Sequence, residues 1–326
     1  MNNFDKAEIY LKEILSMPIE FAIKDLNKQL FKDRIVPGLK LIVTGGQAIQ
    51  AYFPNSPPLR THDYDLKLVA PKNILITPTV RFRMNLLGKG ITKYLNIVLN
   101  NYISTILSKT KRDIMNKYGL QLLDKNGKVF TSTTNLKNDQ LNILTFKLRG
   151  KGKIRTNSMA DVYVVDPSEQ GEEIEAHYKT FTGLEGSNPI LSQDAGNYYI
   201  PFKYINGIPY AGMGYIVWDT YRMVNESLER GLPKHNRYVE KRDSILQALN
   251  DPNSRLSCDS MKDYVKQCEV KYNECKIKGK QYHTVNSVLA YAIREGLIPP
   301  DKYIIRKIRN NYDLDYICNA VKRMLE

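Results

Sequence analysis

Two aspartates stand close together in residues 62–68, whose sequence is HDYDLKL. Apolar and polar residues alternate in this segment, which predicts a strand with its apolar side chains in a core and Asp63 and Asp65 on the opposite face. Two carboxylates so close together repel each other unless a cation lies between them. Because hard cations such as Mg²⁺ prefer carboxylate oxygens, the pair predicts a divalent-metal site.

Another aspartate of interest stands in residues 159–165, MADVYVV, which also predict a strand. Asp161 stands among apolar residues there, where a carboxylate is unfavourable without a cation or a hydrogen-bond donor beside it. Asp166 stands directly before Pro167, a position at which an aspartate is ordinary turn chemistry. Asp161, and not Asp166, is therefore the carboxylate that needs a cation or a donor beside it.

The elements that must position these aspartates begin with residues 39–43, a short apolar run that is typical of a buried strand. Thr44, Gly45 and Gly46 interrupt the run, and apolar residues at helical spacing follow until the prolines that begin at residue 54. The backbone N–H groups at such a helix start point outward and favour a phosphate group. The segment therefore predicts a strand, a glycine turn and the start of a phosphate-binding helix.

This order of a strand, two glycines, a helix, a D-x-D strand and a lone aspartate on a later strand resembles the nucleotidyltransferase superfamily, which has the polymerase-β-like fold. The resemblance implies that Asp63, Asp65 and Asp161 are catalytic and hold two ions of Mg²⁺ or Mn²⁺. It thus implies that Asp161, and not Asp166, lies beside Asp65. It also implies a nucleotide-binding segment made of Gly45, Gly46 and Gln47. A dinucleotide-binding fold is excluded for these glycines, because no G-x-G-x-x-G pattern follows the strand.

A second likeness concerns residues 217–223, VWDTYRM, and the basic pair Lys241-Arg242 on the next predicted helix. This segment is similar to the one that follows the catalytic core in poly(A) polymerases of poxviruses and other large DNA viruses, and the whole likeness covers residues 39–249. It implies transfer of AMP from ATP to RNA 3′ ends, in the cytoplasm of an infected cell or in a virion. It leaves open whether a homodimer or a processivity partner is involved.

Composition agrees with an RNA partner. The chain has 326 residues, and its 48 lysines and arginines against 34 acidic residues give a formal net charge of +14, which favours a polyanionic partner. Lys151, Lys153 and Arg155 make one predicted hairpin tip strongly basic, where contact with RNA phosphates and simple solvation are both open. The 22 tyrosines offer surfaces on which bases could stack.

Several classes of protein are disfavoured by the sequence. No apolar stretch approaches the roughly 18 residues that a membrane-spanning helix needs, so no membrane partner is expected. The N-terminus lacks the uninterrupted apolar core of a secretory signal. The four cysteines, between residues 258 and 318, lack the close pairs of a structural zinc site.

The fold predicted from these patterns is of the α+β class, a polymerase-β-like mixed sheet with flanking helices, followed by a mostly helical C-terminal domain. Residues 1–34 should form two short helices, separated at Pro18, that pack on the core. Residues 35–185 should form the catalytic domain, with an antiparallel hairpin of strands 142–149 and 159–165 around the turn 150–152. Residues 186–326 should be helical at 215–230 and 237–249 and in three further segments between 261 and 325.

Two other functions remain open at this stage. The chain could be a non-catalytic nucleotidyltransferase-fold protein that binds RNA or builds the virion, and the expected signature of such a relative is the loss of one carboxylate. It could also be a nucleotidyltransferase whose acceptor is a protein or a small molecule. All three candidate carboxylates are present in the sequence, which favours catalysis.

Overall fold

The computed structural model describes residues 2–52, 63–71, 73–124, 126–129, 142–165, 198, 200, 202–233 and 235–250. Its helices are α1 (Asn3–Leu30), α2 (Gly45–Tyr52), α3 (Pro78–Tyr118), α4 (Met213–Glu229) and α5 (His235–Asn250). Its strands are β1 (Lys40–Thr44), β2 (Tyr64–Val69), β3 (Gln121–Asp124), β4 (Asn142–Ile143), β5 (Phe146–Gly150), β6 (Lys153–Asn157), β7 (Ala160–Val164), β8 (Phe202–Ile205) and β9 (Ile208–Ala211).

The chain divides into two compact units, of which the first comprises residues 1–47, 60–68 and 75–165 and the second the remainder. The predicted boundary at residues 185 and 186 lies outside the described residues, as do Asp166, the four cysteines and the three helices predicted between 261 and 325.

The predicted α+β class with a mixed sheet and flanking helices is confirmed. In the first unit the strand order is β4-β7-β2-β1, and β7 pairs parallel with β2 and antiparallel with β4. A separate antiparallel sheet in the same unit has the order β3-β5-β6. In the second unit β8 and β9 form an antiparallel hairpin, and α4 and α5 agree with the helices predicted from the sequence.

The prediction of two short N-terminal helices was wrong, because α1 is one helix of 28 residues that continues through Pro18. A proline inside a helix removes one backbone hydrogen bond and costs about 3 kcal/mol. This cost is offset by a stripe of buried apolar side chains along the helix, and Leu15 and Ile19 on either side of the proline are fully buried. Asn2 and Asp5 close the first turn as a capping box.

Helix α3 begins at Pro78 and runs through the segment Gly88-Lys89-Gly90. Glycines usually weaken a helix interior, but Gly88 lies against β7, where a Cβ atom would come within 2.7 Å of the Val164 side chain. The missing side chain therefore lets α3 approach the sheet closely. Asn27 of α1 contacts the strand β1, since its side-chain amide hydrogen-bonds both the N–H and the C=O of Leu41.

The predicted hairpin partner was also wrong. Strand β5 pairs with β6 and not with residues 159–165, which form β7 in the other sheet. The sequence of β6, KIRTN, is polar and lacks clear alternation, so its pattern did not predict a strand. Leu144, with φ of +46°, separates β4 from β5 and sends them into different sheets.

Within the described part of the chain, no helix combines the length and the apolar character needed to cross a membrane.

Candidate functional site

Strand register brings the three predicted carboxylates together. Asp65 in β2 is the direct partner of Asp161 in the parallel strand β7, and Asp63 precedes Asp65 by two residues. One carboxylate oxygen of each residue lies within 4.8 Å of the other two, and all three side chains are half-buried. We call this group the carboxylate triad. The predicted position of Asp161 is confirmed, whereas the metal-binding role of the triad stays a prediction.

The two faces of this strand pair differ in character. On the face opposite the triad, Leu66, Leu68 and Val162 are buried, and Val164 packs against α3. The predicted core face of residues 62–68 is thus confirmed. Helix α3 covers the apolar face, so the triad occupies the face of the same two strands that α3 leaves uncovered.

Gly45 touches the triad directly. It has φ of +64° at the first position of α2, and a Cβ atom there would overlap Oδ2 of Asp65 and lie 3.0 Å from its Cγ. The preceding residue, Thr44, donates a hydrogen bond from Oγ1 to the backbone oxygen of Asp65 at 3.2 Å. The sequence explained this glycine by the approach of a phosphate, and the structure supplies a second reason, the approach of Asp65 itself.

The two residues that follow are buried in the first turn of α2. Gln47 is only 6% exposed, and its Nε2 atom has no hydrogen-bond partner among the described residues. A buried amide without a partner is unfavourable by about 1–3 kcal/mol, so the position is consistent with a polar ligand that would accept from it. The nucleotide-binding role of Gly46 and Gln47 stays a prediction.

Sequence reasoning missed three residues around the triad. The Ser158 hydroxyl donates to Oδ1 of Asp161 at 3.5 Å. Lys67 and Tyr163 lie on the triad face, and the ammonium of Lys67 is 5.3 Å from the centre of the Tyr163 ring. The strand alternation places Lys67 and Tyr163 on the faces of Asp65 and Asp161, because each follows a triad aspartate by two residues, but it gave no signal of a role for them.

The basic hairpin residues have different surroundings. Lys151 and Lys153 are exposed at the turn between β5 and β6. Arg155 instead binds the buried carboxylates of α1, with Nη1 at 2.7 Å from Asp5 and 3.4 Å from Glu8. Its charge is therefore compensated inside the first unit. Contact with RNA phosphates stays a prediction for the two lysines, and the surroundings of Arg155 give it no support.

The donor set of the triad fits a hard divalent cation. Mg²⁺ binds oxygen ligands at about 2.1 Å, so two oxygens on opposite sides of one ion are roughly 4.2 Å apart. The upper limit of 4.8 Å between triad oxygens is only slightly larger than this span. Small side-chain rotations would bring the three oxygens to one ion or let them bridge two.

Comparison with protein-family models and with curated proteins finds no match to this chain.

Proposed function

We propose that the chain is a template-independent nucleotidyltransferase that adds AMP from ATP to RNA 3′ ends, in the manner of a poly(A) polymerase. The observation that carries the proposal is the carboxylate triad, which three separate sequence positions form on one face of β2 and β7. The resemblance of the glycine turn and the D-x-D strand to the nucleotidyltransferase superfamily supplies the reaction class.

The residues divide the proposed work between them. Asp65 and Asp161 would hold a divalent ion beside the acceptor hydroxyl, and Asp63 and Asp65 would hold one beside the triphosphate. Bound there, such ions would lower the pKa of the 3′-hydroxyl and neutralise charge on the leaving pyrophosphate. Gly45 keeps the start of α2 close to Asp65, which leaves backbone N–H groups near the triad for the phosphates.

An RNA acceptor is proposed on charge and resemblance. The formal net charge of +14 favours a polyanion, and the exposed Lys151 and Lys153 offer phosphate contacts on the first unit. The segment at residues 217–223 adds the likeness to viral poly(A) polymerases. The same likeness is the basis for proposing a processivity partner or a homodimer. It is also the basis for proposing a location in the infected-cell cytoplasm or the virion.

The proposal is tested by nucleotide incorporation with the purified full-length chain. Labelled ATP is supplied with Mg²⁺ or Mn²⁺ and with oligo(A), with tRNA, or without an acceptor. We expect a ladder of extended oligo(A) that disappears when EDTA is added, and weaker labelling with GTP, CTP or UTP at equal concentration.

The alternatives give different results in the same assay. Label on the protein or on a small molecule, with none on RNA, would overturn the RNA acceptor. The proposed nucleotidyltransferase reaction would stand, with a different acceptor. Absence of label in every arm, from a protein that still binds oligo(A), would overturn catalysis and favour the non-catalytic RNA-binding relative.

A further inference from the structure

A lysine and a tyrosine continue the face on which the triad lies. Lys67 follows Asp65 by two residues in β2, Tyr163 follows Asp161 by two residues in β7, and the parallel register makes Lys67 and Tyr163 direct partners. Side chains two residues apart in a strand point to the same side. The 5.3 Å between the Lys67 ammonium and the Tyr163 ring centre is a cation–π distance. The pair therefore extends the triad face by one step of the pleat.

Tyr163 does not serve the core of the first unit. Tyr163 as a residue is 46% exposed, whereas Val162, the preceding residue on the opposite face, is buried. The apolar packing of β7 is made with α3 on that opposite face. A large aromatic ring that is half in solvent beside a fixed cation has the composition of a nucleotide-binding surface, because bases stack on aromatic rings and phosphates bind ammonium groups.

The position of the pair separates it from the proposed triphosphate side. Thr44 ends β1 and bonds to Asp65, the second residue of β2, so α2 begins at the Asp65 end of that strand. Lys67 and Tyr163 lie two residues further into their strands. The triad thus has the glycine turn on one side and the lysine–tyrosine pair on the other.

We propose that Lys67 and Tyr163 bind the 3′-terminal nucleotide of the acceptor strand, an inference that rests on the proposed function. The base stacks on Tyr163, and the ammonium of Lys67 binds the phosphate on the 5′ side of the same nucleotide. Two residues along a strand span about 7 Å, which is comparable to the reach from a 3′-hydroxyl to the 5′ phosphate of one nucleotide. The hydroxyl is then directed at the triad. Stacking tolerates any base, so the site accepts RNA 3′ ends with little dependence on the last base.

The inference is tested by fluorescence anisotropy of 5′-labelled oligo(A) with the full-length chain in EDTA, where no transfer occurs. A second oligonucleotide lacks only the base of its 3′-terminal nucleotide. We expect loss of this base to weaken binding to the wild type about tenfold and to change the affinity of Tyr163→Ala by less than about twofold. Tyr163→Phe keeps the ring and should behave as the wild type.

The lysine is tested in the same assay. Lys67→Ala should weaken binding and reduce the log–log salt slope by about 0.7, the value for one phosphate on a single strand. Lys93→Ala is the matched control, because Lys93 is exposed on α3, which packs on the opposite face of the sheet. If Lys93→Ala weakened oligo(A) binding as much as Lys67→Ala, the effect would be explained by the net charge of the protein. The assignment of Lys67 to a phosphate would then be overturned.

Failure of this inference can be distinguished from failure of the proposed function. Equal sensitivity of wild type and Tyr163→Ala to the missing base would overturn the stacking site, even if the enzyme extends RNA. A raised KM for ATP in Tyr163→Ala, with unchanged oligonucleotide affinity, would mean that Lys67 and Tyr163 bind the incoming ATP and not the acceptor strand. If the protein transfers no nucleotide but loss of the 3′-terminal base weakens binding only when Tyr163 is present, the proposed catalysis would be overturned and the RNA-binding site would stand.

Discussion

The first unit contains two groups of acidic side chains with opposite surroundings. Asp5 and Glu8 of α1 are 6% and 0% exposed and share the guanidinium of Arg155, and Glu8 also accepts from the Asn157 amide. The carboxylate triad is half-buried, and its carboxylate oxygens come within 4.8 Å of one another. Asp5 and Glu8 thus share a cation of the protein, whereas the triad brings three carboxylates together at a half-buried place.

This difference separates an acidic cluster that holds the fold from one suited to a ligand. Buried carboxylates without a countercharge would cost several kcal/mol each, so the ion pairs with Arg155 stabilise the folded state by offsetting the burial of Asp5 and Glu8. The triad brings three carboxylates together at a place that solvent reaches, and like charges at this distance repel each other. Three carboxylates that lie this close together and are partly open to solvent are suited to binding a cation from solution.

The largest expected effect that separates the two groups is on activity. Asp63→Asn removes one ligand charge and keeps the shape, so nucleotide transfer should fall to roughly a thousandth or less, since metal-ion stabilisation of the transition state amounts to several kcal/mol. The melting temperature should stay the same or rise slightly, because repulsion within the triad is relieved. Extension of oligo(A) and thermal unfolding of the same preparation measure both quantities. Full transfer activity in Asp63→Asn would remove the triad from the catalytic site.

The second expected effect, on stability, concerns the other group. Arg155→Ala removes the guanidinium that the buried carboxylates of Asp5 and Glu8 share and should lower the free energy of unfolding by about 3 kcal/mol. This value is at the low end of the expected range because the Arg155 side chain is 33% exposed. Urea unfolding measures the loss. Lys153→Ala, which removes an exposed charge from the same strand, is the control and should change stability by less than about 0.5 kcal/mol.

If Arg155→Ala and Lys153→Ala were equally stable, the contrast between the two acidic groups would lose its basis. The affinity for Mn²⁺ also distinguishes the two acidic groups. This affinity should be unchanged in Arg155→Ala at temperatures below the unfolding transition of that variant, and it should be reduced in Asp63→Asn, since only the second substitution changes a triad residue.

The sequence predicted the three aspartates because their signals are local. Alternation in two strands placed Asp63 and Asp65 on one face, and the cost of a carboxylate among apolar residues singled out Asp161. Parallel pairing of β2 with β7 then brought Asp65 and Asp161 side by side. The period of two residues fixes the face of each aspartate, whereas the pairing of β2 with β7 is a long-range contact that the local pattern does not contain, and its expectation came from the resemblance to the nucleotidyltransferase superfamily.

The acidic group of α1 could not be predicted in this way. Asp5 and Arg155 are 150 residues apart, and the strand that carries Arg155 is too polar to be recognised from its pattern. The single α1 helix was missed for a related reason, since the burial of Leu15 and Ile19 that offsets Pro18 depends on tertiary packing. Local propensity is overridden where long-range contacts supply the larger free energy.

A third prediction concerns the link between the glycine turn and the triad. Gly45→Ala should lower the free energy of unfolding by about 2 kcal/mol, from the strain of a positive φ and from overlap with Asp65. It should also weaken Mn²⁺ binding, because the Asp65 carboxylate must move. Gly90→Ala is the control: a Cβ there meets no atom within 4 Å, and the helix should gain up to about 1 kcal/mol.

A double-mutant cycle isolates the contact from the strain. In an Asp65→Ala background the overlap is absent, so Gly45→Ala should cost only the strain of its backbone conformation. Equal costs in both backgrounds would show that Asp65 does not require this glycine.

The smallest expected effect, on stability, concerns a third acidic site, in which Asp33 forms an ion pair with Arg83. Asp33 receives hydrogen bonds from Arg83, with Nη2 at 2.6 Å, and from the backbone N–H groups of Ile35 and Val36. Burial alone would raise the pKa of the Asp33 carboxyl, but these hydrogen bonds outweigh it and the pKa is lowered. A lowered folded-state pKa contributes stability that is present above the unfolded value of about 3.9 and is lost as the pH falls through the folded value.

Arg83→Ala should therefore destabilise the protein at neutral pH and matter progressively less in acid, where Asp33 becomes protonated with or without its partner. We expect a loss of about 1 kcal/mol at pH 7, less than for Arg155→Ala, because the Arg83 side chain is 35% exposed and its ion pair is screened by solvent. Urea midpoints of wild type and variant, measured from pH 7 to pH 3, should converge at the acid end, and Lys89→Ala on the same helix should show no such convergence. A difference that stays constant with pH would mean that Arg83 acts through packing of its side chain on α3 and not through the charge of Asp33.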